Sequence, residues 1–138
     1  MVCIYCGGKT NIINSRPQKR LVRTWRRHAC KACGAIFTTI EAPHFYESWR
    51  VRHSTGVLSP FERDMLFLSI YESLRHRIDA VSAATAITDT ITANLIRLTD
   101  SGVLRTDTIV AIALETLSRF DEAAKVHYAA YHEPTRRG

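Results

Sequence analysis

The 138-residue sequence has no long run of apolar residues and no cysteine beyond four. No stretch approaches the roughly 20 apolar residues that a membrane-spanning helix needs, so we expect no membrane partner. Three catalytic signatures are also missing, namely the Gly-x-x-x-x-Gly-Lys phosphate loop, the Gly-x-Ser-x-Gly elbow and the His-Glu-x-x-His zinc-peptidase sequence. We therefore do not expect an enzyme.

Acidic residues are almost absent from the first third of the chain. Residues 1–45 contain eight Lys/Arg against one acid, Glu41, whereas residues 46–138 contain eleven Lys/Arg against twelve acids. The net charge of +6 therefore originates in the first segment. This division predicts two domains, 1–45 and 46–138, of which only the first has the charge to bind a polyanion.

The four cysteines form two Cys-x-x-Cys pairs, Cys3/Cys6 and Cys30/Cys33, each followed by glycine. This spacing lets both sulfurs of a pair reach one tetrahedral Zn²⁺. A thioredoxin-like redox pair needs a strand before it and a helix starting at it, and a disulfide needs a secreted chain. Neither context is present, because no apolar strand precedes Cys3 and no signal-peptide run occurs. We therefore expect a zinc site in a cytoplasmic protein.

About 45 residues bury too little apolar surface to fold unaided, so zinc is expected to supply much of the folding free energy of the first segment. Strand-forming residues around Asn11–Ser15, Val22–His28 and Ala35–Ile40 predict a small zinc ribbon with the metal at one end. His28 is expected to contact phosphate or solvent, because four cysteines already complete the tetrahedron.

Six cations lie within twelve residues between the two cysteine pairs. Guanidinium groups bind phosphate through forked hydrogen bonds, so this density predicts nucleic-acid binding. A solvated surface face is the alternative. The single tryptophan of the run either stacks on a base or packs inside the ribbon. The candidate DNA-binding residues are Arg16, Lys19, Arg20, Arg23, Trp25, Arg26 and Arg27.

The second segment is mainly helical, which makes the whole chain α+β. Val51–His53 and Val57–Leu58 flank a Ser-Thr-Gly turn and predict a β-hairpin. Ser59, Pro60 and Glu62 match a capping box, which predicts that a helix begins at Pro60. Apolar residues then recur at helical spacing through three further predicted helices. The expected core includes Met65, Leu66, Leu68, Ile70, Leu74, Ile87, Ile91, Leu117, Phe120, Tyr128 and Tyr131.

Six short motifs occur in order along the chain, namely Cys3-Ile-Tyr-Cys6-Gly, Asn14-Ser15-Arg16-Pro17, Cys30-Lys-Ala-Cys33-Gly, Phe37-Thr38-Thr39, Pro60-Phe61 and Phe120-Asp121-Glu122-Ala123-Ala124. As a set, these residues resemble the NrdR family, the bacterial transcriptional repressors of ribonucleotide reductase genes. The likeness covers nearly the whole chain. The resemblance implies a DNA-binding zinc ribbon joined to an ATP-cone, which holds ATP or dATP under its hairpin. It also implies a homo-oligomer that binds paired operator sites on double-stranded promoter DNA at the bacterial nucleoid.

The chain departs from the family where phosphates are expected. The family carries lysine at the positions of His53 and Met65, and a second cation at that of Ser54. Nearby arginines compensate for these losses, or the nucleotide site is weakened or lost. The alternative function is therefore a zinc-ribbon protein that binds DNA or RNA and uses a degenerate cone only for assembly. The nucleotide-binding residues implied by the resemblance are Arg50, Val51, Arg52, His53, Arg63, His76 and Arg77.

Overall fold

The computed structural model describes residues 1–132, and the chain divides into two compact units. The first unit is Met1–Pro43 and the second begins at His44. Strands form most of the first unit and helices most of the second, which confirms the predicted α+β class. Among residues 1–132, no helix combines the length and apolar character needed to cross a bilayer.

The first unit is an antiparallel sheet of three strands in the order β1-β2-β3. These strands are β1 Thr10–Gln18, β2 Arg23–Cys30 and β3 Ile36–Glu41. A 3₁₀ turn, Lys19–Leu21, joins the first two. All three predicted strands are confirmed, but Val22 lies outside β2 with a positive φ of 51°. The central strand carries Arg23, Arg26 and Arg27, which are half of the six cations of the basic run.

A small core lies at the cysteine end of this sheet, where Cys3, Cys30 and Phe37 are buried. His28 is buried as well, with 5% of its surface exposed. Its ring stacks on Phe37 with centroids 5.2 Å apart, and its Nε2 lies 2.7 Å from Thr39 Oγ1. The prediction that His28 contacts phosphate or solvent is therefore wrong, because β2 and β3 pair it directly with Phe37.

The second unit combines a small sheet with five helices in the part of the chain that the structure describes. Strand β4 (Arg50–Arg52) pairs antiparallel with β5 (Leu58–Pro60) and parallel with β6 (Val103–Arg105). The hairpin is thus confirmed, with its first strand one residue earlier than predicted and its second strand starting one residue later, and β6 adds a third strand. The helices are α1 Phe45–Ser48, α2 Arg63–Leu74, α3 Ala80–Leu98, α4 Thr106–Phe120 and α5 Glu122–Tyr131.

The predicted helix start at Pro60 is wrong. Ser59 pairs with Val51 in the sheet, and its hydroxyl lies 2.7 Å from His53 Nε2. Proline is tolerated there because β5 is an edge strand of the sheet. Helix α2 instead begins at Arg63, three residues later.

The helical core is narrower than the sequence predicts. Leu66, Ile70 and Leu74 are buried as expected, because they lie on the face of α2 that packs on the core. Met65 and Leu68 were expected to widen this stripe, but 59% and 50% of their surfaces are exposed. Met65 and Leu68 therefore face outward on α2 and do not belong to the core of the second unit.

The last two helices differ from the prediction at their ends. Leu117 and Tyr128 are buried, but Phe120 and Tyr131 are exposed, so their assignment to the core is wrong. Phe120 ends α4, and its ring instead supports the Arg77 guanidinium, which lies 4.7 Å from the ring centroid.

Asp121 connects the start of α5 to the segment that follows α2. Its Oδ1 accepts a hydrogen bond of 3.0 Å from the Ala124 backbone N–H, which caps the helix. Its Oδ2 lies 2.9 Å from His76 Nε2 and 3.2 Å from Arg77 Nη1. The Ala124 amide and His76 lower the pKa of Asp121 to about 2.

Replacing this carboxylate should destabilise the second unit. We expect Asp121→Ala to lower the free energy of unfolding by about 1–2 kcal/mol, whereas Asp121→Asn, which still caps, loses less. Because the pKa is lower in the folded state, the contribution of ionised Asp121 is complete above the unfolded pKa of about 3.9 and is lost as pH falls toward 2. Urea unfolding at several pH values measures this, with exposed Glu122→Ala as the control. Equal stability of wild type and Asp121→Ala at pH 7 would contradict the assigned role.

Candidate metal centre and nucleic-acid interface

Two turns bring the four cysteines together at one end of the ribbon. All four Sγ atoms lie within 4.8 Å of one another. The Sγ atoms of Cys3 and Cys33 are 3.8 Å apart, and those of Cys6 and Cys30 are 3.5 Å apart. A tetrahedral zinc with bonds of about 2.3 Å places its sulfurs about 3.8 Å apart, so the arrangement fits this ion.

The backbone of the two cysteine turns lies close to the Sγ atoms. Gly7 and Gly34 adopt the left-handed conformation with φ of 74° and 73°, as the glycine after each pair predicts. A Cβ on Gly8 would lie 3.2 Å from Cys6 Sγ and 3.4 Å from Cys30 Sγ, so a side chain there would crowd both sulfurs. Hydrogen bonds of 3.3–3.4 Å reach the sulfurs from the backbone N–H groups of Tyr5, Gly8, Ala32 and Cys33.

These hydrogen bonds set the protonation of the site. The backbone N–H groups of Cys33 and Ala32 lower the pKa of Cys30 to about 6. Although the Gly8 amide also donates to Cys6, the contacts with Cys30 and Cys33 raise the pKa of Cys6 to about 12. Four thiols this close do not all ionise without a cation among them, and a bound zinc ion would supply that charge. A set of four sulfurs leaves no open position for a substrate, which is the property of a structural site.

The strand register places the arginine side chains of the basic run on two different faces of the ribbon sheet. Arg16 lies opposite Trp25, which lies opposite Ile40, so these three side chains form one row across the sheet. Arg23 and Arg27 share this face because side chains alternate along a strand. Trp25 is half-buried in the row. We call Arg16, Arg23, Trp25 and Arg27 the arginine face.

The remaining candidates lie elsewhere on the ribbon. Arg26 is on the opposite face, where its Nη1 lies 2.6 Å from Glu41 Oε2. Because Glu41 is the one acid of the first unit, the arginine face carries no carboxylate. Lys19 and Arg20 are exposed in the 3₁₀ turn at the end of the sheet away from the cysteines.

The candidate nucleotide-binding residues of β4 and the following turn have different environments. Val51 is buried in the core, and Arg50 donates two hydrogen bonds to backbone carbonyls, at 3.0 and 3.1 Å. Arg52 and His53 line a pocket of about 340 Å³, which Arg105 also lines. No sequence pattern indicated Arg105, because it ends the short strand β6.

The other three candidates lie apart from this pocket. Arg63, at the start of α2, forms an ion pair with Asp89 of α3. His76 and Arg77, just past the other end of α2, both contact Asp121. With a rise of 1.5 Å per residue, the 12-residue helix separates these two places by about 18 Å. The described contacts therefore do not bring the seven candidates into one cluster.

Comparison with known proteins identifies relatives along the whole chain. The family described as "Transcriptional repressor NrdR-like, N-terminal domain" matches residues 1–41. A transcriptional repressor NrdR from Pelagibacter ubique (strain HTCC1062) is 36% identical over 138 residues, which cover 99% of this chain and 88% of the relative. A protein of the same name from Chelativorans sp. (strain BNC1) is 33% identical, with coverage of 99% and 88%. The corresponding protein from Azorhizobium caulinodans is 31% identical, with coverage of 99% and 78%.

Proposed function

Because this chain belongs to the NrdR family of transcriptional repressors, we propose that its ribbon binds operator DNA and that ATP and dATP regulate this binding through the second unit. The genes under control are those of ribonucleotide reductase, as the family resemblance implies. Nucleotides act as signals in this proposal and are not consumed.

The arginine face is the observation that carries the DNA-binding half of the proposal. Three guanidinium groups lie on one face of a three-stranded sheet, and the acid of the ribbon lies on the other face. Phosphate contacts fix a protein on the duplex, while groups that reach base edges supply specificity. Arg16, Arg23 and Arg27 are suited to the first task, and half-buried Trp25 between them presents part of a ring for contact with sugar or base.

Oligomerisation supplies the affinity that one ribbon lacks. A single sheet covers a short DNA site, so binding of one ribbon is weak. Linking ribbons through the second units raises the local concentration of the next ribbon at the neighbouring site. A nucleotide that favours one oligomer then switches operator binding, within the limit set by its differential affinity for the two states.

Arg26 and Arg27 are adjacent in β2 but lie on opposite faces of the sheet. Substituting each in turn therefore distinguishes the loss of a DNA contact from the loss of one positive charge. We expect Arg27→Ala to weaken operator binding and to reduce the slope of log K against log salt by about 1, because one phosphate contact is lost. Arg26→Ala, which removes the same charge from the face that carries Glu41, should change both quantities much less. Titration of a labelled promoter duplex at several salt concentrations measures both. Equal losses in the two variants would contradict the assignment of the arginine face.

A second candidate function rests on the internal ion pairs of the second unit. Arg63, His76 and Arg77 each contact an acidic side chain, and they lie at opposite ends of α2. This arrangement favours a cone that assembles the protein without sensing nucleotide. In that case ATP and dATP leave the melting temperature of the second unit unchanged, and the ribbon binds DNA or RNA constitutively.

A further inference from the structure

The four sulfurs of the metal centre differ in exposure and in hydrogen bonding. Cys6 and Cys33 are exposed, whereas Cys3 and Cys30 are buried in the ribbon core. Backbone N–H groups donate to the sulfurs of Cys3, Cys6 and Cys30, but in residues 1–132 no described backbone N–H donates to Cys33 Sγ. A hydrogen bond draws electron density from a thiolate and makes it less nucleophilic. Cys33 is therefore the more nucleophilic of the two exposed sulfurs.

The surroundings of these sulfurs are cationic. Lys9 and Lys31 are exposed beside the cysteine turns, where the Lys31 backbone N–H donates a 3.0 Å hydrogen bond to the Lys9 carbonyl. Glu41, the one acid of the first unit, lies at the far end of β3. Reactive cysteines are exposed thiolates in electropositive surroundings, and a metal-bound cysteine is a thiolate. Cys33 meets all of these conditions when the site holds zinc.

We propose that Cys33 is the site at which hydrogen peroxide oxidises this protein, and that a disulfide between Cys33 and Cys3 then releases the zinc. The Cys33 thiolate attacks one peroxide oxygen, the O–O bond breaks, hydroxide leaves, and the sulfur becomes a sulfenic acid. Cys3 Sγ lies 3.8 Å from Cys33 Sγ, so its thiolate attacks that sulfur, expels a second hydroxide and forms the S–S bond. Two thiolates thus give two electrons to one peroxide, and a dithiol reductant returns those electrons to the disulfide.

This oxidation removes half of the zinc ligands and disrupts the arginine face. The remaining thiolates, Cys6 and Cys30, do not complete a tetrahedral site, so the affinity for the ion falls and the ion dissociates. Cys30 is the last residue of β2, the central strand of the ribbon sheet, and its side chain belongs to the small metal-dependent core. Loss of operator DNA follows, and this last consequence alone rests on the proposed function.

Treatment of the reduced, zinc-loaded, full-length protein with hydrogen peroxide tests the proposal. A chromogenic chelator follows zinc release, dimedone traps the first sulfenic acid, and peptide mapping by mass spectrometry locates the disulfide. We expect dimedone on Cys33, zinc release in step with formation of the Cys3–Cys33 disulfide, and recovery of the zinc site after dithiothreitol and zinc are added.

Cys33→His and Cys6→His are the matched variants. Structural zinc sites with three cysteines and one histidine are common, and histidine does not form a disulfide. We expect Cys33→His to slow peroxide-driven zinc release about tenfold or more and Cys6→His to change it less than about twofold, because susceptibility follows thiolate character and exposure. A zinc assay shows whether each purified variant holds the metal, and peptide mapping of the wild type decides the matter if one does not.

The outcomes separate this inference from the proposed function. Zinc that stays bound at a peroxide concentration that oxidises free N-acetylcysteine would overturn the inference and leave operator binding standing. First trapping on Cys6, or a disulfide that does not include Cys33, would also overturn it. Zinc release with the Cys3–Cys33 disulfide, from a protein that binds no promoter duplex even when reduced, would support the inference and overturn the proposed function. Duplex binding that is lost with the zinc and regained on reduction would support both.

Discussion

Removal of zinc is expected to unfold the segment Met1–Pro43 while the second unit keeps its fold. The buried apolar core of the ribbon consists of Cys3, Cys30 and Phe37, and two of these three are metal ligands. Structural zinc contributes an apparent 10–16 kcal/mol in small domains, so this ion outweighs the burial of one phenylalanine by a wide margin. The second unit buries an independent set of helix residues and needs no metal for its core.

The two tryptophans of the chain report on the two units separately. Trp25 lies in the ribbon and Trp49 is buried in the second unit. In a Trp49→Phe variant, stripping the metal should shift Trp25 emission to longer wavelength, and adding zinc should restore it. In a Trp25→Phe variant, the same treatment should leave Trp49 emission unchanged. Unaltered Trp25 emission after an assay has shown that the metal is gone would contradict zinc-dependent folding of the ribbon.

The second large effect is a nucleotide-dependent change in assembly and in operator affinity. We expect ATP and dATP to shift the mass of the protein in solution differently, and the form that pairs its ribbons to bind a two-site promoter duplex about 100-fold more tightly than the other form. The reason is effective concentration, since avidity gains of 10²–10⁴ need no new contact. Light scattering and duplex titration in each nucleotide measure mass and affinity on one sample.

A one-site duplex is the control for this effect. It should show little difference between the nucleotides, because a single ribbon contact gains nothing from pairing. Identical mass and identical two-site affinity with ATP, dATP and no nucleotide would contradict the switch and favour an assembly-only cone.

The metal centre was predictable because its chemistry is local in sequence. Two Cys-x-x-Cys pairs with glycine after each define both turns, and the structure places all four sulfurs together. The strands of the ribbon were also predictable from β-branched and aromatic residues. What the sequence could not reveal is which arginine of β2 pairs with Glu41, since the two residues are fifteen positions apart and the sheet brings Arg26 to it.

The second unit was less predictable where the same residues suit two structures. Ser59 and Pro60 fit a helix cap by composition, but pairing with β4 makes them an edge strand. Strand β6 is three residues long and pairs with β4, which lies about 50 residues earlier in the sequence, so no local sequence pattern predicts it. The juxtaposition of Arg52 and Arg105 depends on that pairing, and it became visible only in three dimensions.

The most direct test of the whole account is the binding of a promoter duplex by one preparation with zinc, after chelation, and after zinc is returned. A zinc-organised arginine face predicts specific binding that disappears with the metal and recovers with it, while Arg27→Ala weakens the zinc-loaded protein alone. Undiminished specific binding by the metal-free protein would contradict it.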